Sequence, residues 1–296
     1  MGILVGLLRT MRPKQWTKNL LFVFPAIVFD GQLFKAEPFL RVFIAFVLLC
    51  LMSGTVYIIN DLVDIESDRQ HPSKKNRPLA SGQLPVRLAM DAAILIPFIC
   101  LGVAYFFSLK LAAILMAYLA LQLAYSFKLK HVVIVDLLAI TAGFILRVAA
   151  GVVVVTVENF SPWLYACAGL LALFLTIGKR RQELLTLGEK AVEFRRNFKD
   201  YNLPLLDEML NIVTTSTLIT YTLYTIEVPA EPGPNSNLAL LTVPFVLYGL
   251  FRYLFLIHVR GEGSAPDEVL LKDRPLQLDL LLFGLTYIII LYLLPA

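Results

Sequence analysis

Apolar runs of about 20 residues, the length that crosses a bilayer as a helix, recur along the whole 296-residue chain. They fall at 17–34, 38–61, 86–107, 110–127, 133–156, 160–179, 204–227, 237–259 and 275–295, which predicts nine transmembrane helices. The polar stretches between them are of two kinds. Long ones lie at 62–85, 180–203 and 260–274, and short ones near 35–37, 108–109, 157–159 and 228–236. The last of these reads PAEPGPNSN, a Pro/Gly/Asn turn. The expected architecture is an all-α polytopic membrane protein forming one membrane domain over 1–296, with the three long loops capping one face. Residues 1–16 read as an amphipathic segment on the membrane surface. Arg9, Arg12, Lys14 and Lys18 surround a short apolar patch there, a pattern unlike that of a cleaved leader.

Composition agrees with this pattern. Hydrophobic residues make up 58% of the chain, charged residues 16%, and the mean hydropathy is +0.74, which excludes an ordinary soluble domain. Charge then sets the orientation. The N-terminus, the long loops and the turn at Lys128 and Lys130 hold 21 Lys and Arg, against three (Lys35, Arg41, Lys110) on the opposite side. Such a bias puts the N-terminus and the long loops in the cytoplasm and, with nine spans, the C-terminus outside. Cys50, Cys100 and Cys167 each sit in an apolar run without metal-like spacing and read as small buried residues. The histidines are scattered. Span 2 ends in YIINDLVDIESD and span 6 in FLTIGKRRQELL, an echo that fits a four-helix unit used twice plus one helix. The expected setting is a membrane, without nucleic acid, and a homo-oligomer is compatible with the pattern.

The chemistry concentrates at the end of span 2. Asn60, Asp61, Asp64 and Asp68 form N-D-x-x-D-x-x-x-D. Positions i, i+3 and i+7 share one face of a helix, so three carboxylates line one stripe and repel unless something binds them. Hard oxygen ligands at this spacing suit Mg²⁺, which leaves coordination places for water and substrate phosphate. The plainer reading is a solvated helix end whose acids pair with Arg69, Lys74, Lys75 and Arg77, with Glu66 a solvated residue. A second polar cluster, Tyr125, Lys128, Lys130 and Asp136, lies between spans 4 and 5. Its lysines read as phosphate ligands or as snorkelling side chains. Arg147 and Arg252 fall within spans, where a charge faces a cavity or a partner. The stretch NRPLASG reads as a phosphate-covering loop or a Pro/Gly turn. Asp273, Arg274 and Pro275 read as a helix entry.

N-D-x-x-D-x-x-x-D at a cytoplasmic helix end in a nine-span chain resembles the UbiA-type intramembrane prenyltransferase superfamily. The resemblance implies nine helices around a cavity open to lipid, and an acidic motif that binds Mg²⁺ and a donor diphosphate. The stretches RPKQWTKNLLFVFPAI (12–27), NRPLASGQLP (76–85), YSFKLKHVVIVDLLAITAGFILRVAAG (125–151), GKRRQEL (178–184) and LLKDRPL (270–276) resemble, in order, the decaprenyl-phosphate phosphoribosyltransferase branch. Where a prenyltransferase of the typical kind carries a second acidic motif, this chain has Lys179, Arg180 and Arg181.

The branch implies Mg²⁺-dependent transfer of 5-phosphoribose from phosphoribosyl pyrophosphate to a polyprenyl phosphate, in cell-wall arabinan precursor synthesis at a bacterial plasma membrane. Under this reading Asp61, Asp64 and Asp68 hold metal, and Asp61, Asp64 and Asp136 are catalytic. Asn60, Lys14, Lys18, Arg77, Tyr125, Lys130, Arg147, Lys179 and Arg180 bind substrate. The alternatives are a prenyltransferase acting on an aromatic or other small acceptor, and a cation-coupled transporter. The latter predicts acids near mid-membrane, whereas here they cluster at helix ends.

Overall fold

The computed structural model describes residues 2–70, 74–157, 161–188, 196–227, 238–261, 269 and 272–294. Among these there are helices and turns and no strand. A backbone in hydrocarbon has no water to bond to, so uninterrupted apolar sequence closes its hydrogen bonds within helices. The chain opens with α1 (Ile3–Thr10), a 3₁₀ turn at Pro13–Trp16, α2 (Thr17–Val23) and α3 (Pro25–Val28). Then come α4 (Ala36–Val63), α5 (Ile65–Gln70), α6 (Val86–Phe107), α7 (Leu109–Phe127), α8 (Val135–Val152) and α9 (Pro162–Leu187). The last are α10 (Leu203–Glu227), α11 (Val243–Phe255) and α12 (Arg274–Ile288). A π-helical turn extends α11 to Arg260 and another extends α12 to Leu293.

Seven of the described helices are long and apolar enough to cross a membrane: α4, α6, α7, α8, α9 and the runs Leu238–Arg260 and Arg274–Leu293. Two of the nine expected spans differ. The stretch 17–34 is divided between α2 and α3, because Pro25 has no N–H to carry the ladder across. The stretch 204–227 is the helix α10, whose 25 residues extend about 37 Å. It is laden with threonine. The hydroxyls of Thr214, Thr215, Thr217, Thr220 and Thr222 each bond a carbonyl one turn back, so this polar content is satisfied within the helix. The PAEPGPNSN turn and parts of the three long loops lie outside the described residues.

The described chain divides into two compact units. The first takes the residues up to Val28, Gln32–Phe127 and Leu146–Val157; the second takes Phe29–Gly31, Lys128–Ile145 and those from Ser161 onward. In the first, Val42, Ala45, Leu49 and Met52 of α4 form a core with Cys100, Ala104, Leu111, Leu115 and Ala150. Here α8 approaches α2 closely: a Cβ on Gly151 would stand 2.1 Å from the carbonyl oxygen of Val23. Small residues permit such backbone contact between membrane helices. In the second unit α9 and α10 form the most extensive helix pair, with Phe174, Ile177, Leu206, Leu210, Leu250 and Tyr253 in the core. A separate buried group joins Cys167, Tyr221, Tyr224 and Tyr287, and the hydroxyls of Tyr224 and Tyr287 are bonded to each other. The three cysteines are free and buried, as their apolar surroundings predict.

Candidate active site

The acidic motif is gathered by a helix break. Helix α4 ends at Val63, Asp64 caps it with its N–H on the carbonyl of Asn60 (3.0 Å), and α5 begins at Ile65. The motif therefore does not form the continuous three-carboxylate stripe of a single helix. Asp64 is exposed and Asn60 half-buried, whereas Asp61 and Asp68 are only 3% and 2% exposed. Both buried carboxylates meet one guanidinium nitrogen. Arg77 Nη1 lies 3.1 Å from Asp61 Oδ1 and 2.6 Å from Asp68 Oδ2. Arg12 Nη2 adds a second contact to Asp61 Oδ1 at 2.8 Å, with its guanidinium over the Tyr57 ring at 4.6 Å. Lys74 Nζ lies 4.0 Å from Asp68 Oδ1. The acids thus do pair with the basic loop that follows them, but as buried charges and not as a solvated end. Glu66 behaves as the solvated residue expected, pairing with Arg69 at the surface.

Arg12 reaches Asp61 from a left-handed backbone (φ 53°), at the junction between α1 and the Pro13–Trp16 turn. That conformation costs a non-glycine residue roughly 1–2 kcal/mol, offset here by a charge-assisted bond and a cation–π contact. Met11 beside it is buried against Gly54, where a Cβ would meet Met11 Cε at 2.6 Å. Along α1 itself Ile3, Leu4, Val5 and Leu8 are exposed, while Gly6 and Thr10 are buried.

Carboxylate oxygens are the donor type a hard divalent cation takes. Two buried carboxylate oxygens, on Asp61 and Asp68, converge on a point already occupied by positive charge, the Arg77 nitrogen. Asp64 does not join them, and among the described residues no three His, Cys, Asp or Glu side chains converge for a metal.

The second cluster is built on the turn before α8. Asp136 lies in the first turn of that helix and is 0% exposed. Tyr201 Oη donates to Asp136 Oδ1 at 2.7 Å and accepts the N–H of Ile134 at 2.8 Å. Arg180 Nη2 lies 2.7 Å from Asp136 Oδ2, Arg180 Nη1 donates to Glu183 Oε2 at 2.7 Å, and the guanidinium stacks over Phe198 at 5.2 Å. Burial first, and then the bond to Asp136, raise the Tyr201 hydroxyl above its ordinary pKa, so it stays a proton donor. Lys179 is exposed, 3.9 Å from Glu183 Oε1, and Lys130 is half-buried in a 3₁₀ turn. Arg181 is held separately, by Asp207 at 2.5 Å, and that carboxylate also meets His258 Nε2 at 3.2 Å.

The other predicted residues are placed apart from these contacts. Arg147 is buried in α8 and donates to Asn19 Oδ1 and Tyr118 Oη, each at 2.7 Å. Asn19 in turn donates to Ser53 Oγ and Cys50 Sγ, so the intramembrane charge ends a polar network. Arg252 forms a forked pair with Asp273. Lys14 and Lys128 are exposed, and Lys18 and Tyr125 half-buried. The structure therefore joins Asp61, Asp68 and Arg77 in one cluster and Asp136 with Arg180 in another. It adds Arg12 and Tyr201, which sequence reasoning did not single out. Arg12 carried a signal, standing directly before the RPKQW proline at the end of the amphipathic segment. Tyr201 carried none, being 65 residues from the aspartate it bonds.

The described residues make a helical chain with apolar spans and with buried carboxylates cradled by guanidinium groups. Comparison with known proteins supplies the family. The chain belongs to the UbiA prenyltransferase family, which it matches over residues 20–267. It is 32% identical over 98% of its length to the decaprenyl-phosphate phosphoribosyltransferase of Corynebacterium glutamicum, of which 88% is covered. It is 31% identical over 94% of its length to the protein of the same name in Mycolicibacterium smegmatis, of which 89% is covered. Among solved structures it resembles a UbiA homolog from Archaeoglobus fulgidus bound to DMAPP and Mg²⁺, with a TM-score of 0.70 at 19% identity over 97% of this chain and 99% of that one. A digeranylgeranylglyceryl phosphate synthase gives a TM-score of 0.68 at 18% identity over 98% and 99%. These structures establish the UbiA fold, and the curated relatives make the chain an enzyme, a transferase.

Proposed function

We propose that this chain transfers 5-phosphoribose from phosphoribosyl pyrophosphate to a polyprenyl phosphate. The observation that carries the proposal is the buried cluster of Asp61 and Asp68 with Arg12 and Arg77, in a chain similar over nearly its full length to decaprenyl-phosphate phosphoribosyltransferases. The donor has a diphosphate at C1 and another phosphate at C5, so its site calls for acids to hold a metal and for cations to hold phosphate. Lys179, Arg180 and Arg181, standing where prenyl transfer would call for acids, support the more anionic donor.

Asp61 and Asp68 would hold Mg²⁺, with Asp64 exposed beside them. When bound, the metal neutralises charge on the departing diphosphate. Arg12 and Arg77 are then free to turn from carboxylate to phosphate, for which the guanidinium fork is equally suited. The acceptor needs no general base, because a phosphate monoester has its second pKa near 6 and is mostly dianionic at neutral pH. Its oxygen bonds to ribose C1 as the C1–oxygen bond to diphosphate breaks and the leaving group takes the electron pair. Positioning and electrostatics supply the rate. Asn60, Lys14, Lys18, Tyr125, Lys130, Arg147 and Lys179 are assigned to substrate, and Asp136 to support of the positive charge that develops at C1. The cytoplasmic placement of the N-terminus, the plasma membrane location and the link to arabinan precursors belong to the same proposal.

The test uses purified protein in detergent with Mg²⁺, a polyprenyl phosphate and phosphoribosyl pyrophosphate, read by mass spectrometry. A phosphoribosylated lipid that disappears with EDTA is the expected result. Product only in a parallel tube holding prenyl diphosphate and 4-hydroxybenzoate would overturn the proposal in favour of prenyl transfer. Asp61→Asn combined with Asp68→Asn is expected to abolish Mg²⁺-dependent turnover, with a melting curve showing that the protein stays folded.

A further inference from the structure

We propose that Tyr201 is a positioning residue, which sets the Asp136 carboxylate and through it the Arg180 guanidinium for the phosphoribosyl donor. This deepens the functional proposal above and rests on it for the identity of the donor.

The argument starts from burial. Asp136 is 0% exposed and Arg180 only 3%, and such a pair is costly to bury unless its remaining hydrogen-bonding capacity is met. One oxygen of Asp136 faces Arg180 Nη2 at 2.7 Å, and the other receives the Tyr201 hydroxyl at 2.7 Å. That hydroxyl has a second bond, accepting the backbone N–H of Ile134 at 2.8 Å. Ile134 stands at φ 68°, in the left-handed region, where a β-branched residue is an outlier. Strained positions of this kind persist only where their surroundings hold them, and they gather at functional sites. The strained turn leads directly into the first turn of α8, which carries Asp136.

One phenolic oxygen therefore pins both the turn and the carboxylate the turn presents. The same short segment supplies Phe198, whose ring lies under the Arg180 guanidinium at 5.2 Å, so residues 198–201 support both ends of the ion pair. A tyrosine serving only to fill space would need no hydroxyl. Here both bonding capacities of the hydroxyl are used.

The test compares wild type, Y201F, D136N and the double variant as full chains in detergent, by melting temperature and by transfer kinetics. Phenylalanine keeps the ring and removes only the oxygen. Y201F is expected to lower kcat/KM for the donor roughly tenfold, with KM for the lipid acceptor unchanged and with a fall in melting temperature that still leaves the protein folded at the assay temperature. It is expected to add no further loss in the D136N background, because residues acting as a unit are not additive. Wild-type kinetics in Y201F would overturn the inference. So would a loss that multiplies with D136N, or one that appears equally in KM for the lipid acceptor. Should the wild type form no phosphoribosyl lipid, the donor assignment falls instead, and amide exchange at Ile134 decides whether the tie survives it. Faster exchange in Y201F supports the hydroxyl as the clamp, and unchanged exchange removes it.

Discussion

At the scale of single residues the molecule places its charges in pairs near helix ends. Asp273 shows the consequence most simply. It caps α12, accepting the Leu276 N–H at 2.9 Å, and takes a forked bond from Arg252 at 3.1 and 2.8 Å. The bond from Arg252 is the chief reason its carboxyl is held below the usual range, and the cap N–H contributes, against the opposing pull of burial. A carboxyl lowered in the fold stabilises above its unfolded pKa, near 3.9, and loses that contribution as pH falls through the lowered value. D273N keeps a capping oxygen but loses the charge, so it should cost about 2 kcal/mol at pH 7. The gap to wild type in melting temperature should close below about pH 4. D273A should cost about 1 kcal/mol more, the loss of the cap. A gap independent of pH would mean that the pair contributes no charge interaction.

At the scale of elements, close approach and interruption matter more than helix propensity. Gly151 lets α8 meet the backbone of α2 at Val23, whereas Gly102 on α6 has nothing within 4 Å of where a Cβ would stand. G151A is therefore expected to destabilise by about 1–3 kcal/mol through overpacking. G102A should be neutral or stabilising by roughly 0.5–1 kcal/mol, since it relieves only the entropic cost of glycine in a helix. Thermal melts of the two variants in one detergent check the contrast. The break at Asp64 is the other decisive element-scale feature. Had α4 continued, Asp61, Asp64 and Asp68 would have shared one face. Ending it at Val63 leaves Asp64 exposed and gives Asp61 and Asp68 a common arginine.

At the scale of the whole molecule the distribution of Lys and Arg predicts how the chain lies in its membrane. With 21 of them assigned to one face and three to the other, the rule that cytoplasmic segments carry the positive charge predicts an outward-facing Lys110 and an inward-facing Lys199. The native cysteines are buried, so introduced ones report cleanly. In intact cells a membrane-impermeant maleimide should label K110C at once and K199C only after the cells are opened. The reverse pattern would invert the topology and place the acidic motif on the wrong side for a cytoplasmic donor.

Most of the spans and the acidic motif with its basic loop were legible in the sequence, because each rests on local hydropathy, local charge or a short spacing. Even there, the limits of local reading show at Pro25, which divides the first expected span, and in α10, whose threonines satisfy themselves within the helix. What the tertiary structure alone decided is which charge meets which. Arg12 finds Asp61 across 49 residues, Tyr201 finds Asp136 across 65, and Arg147 finds Asn19 across 128. Such pairings carry no periodicity. They arise when helices packed for apolar burial bring distant polar groups together where little water reaches, so that most must find a partner.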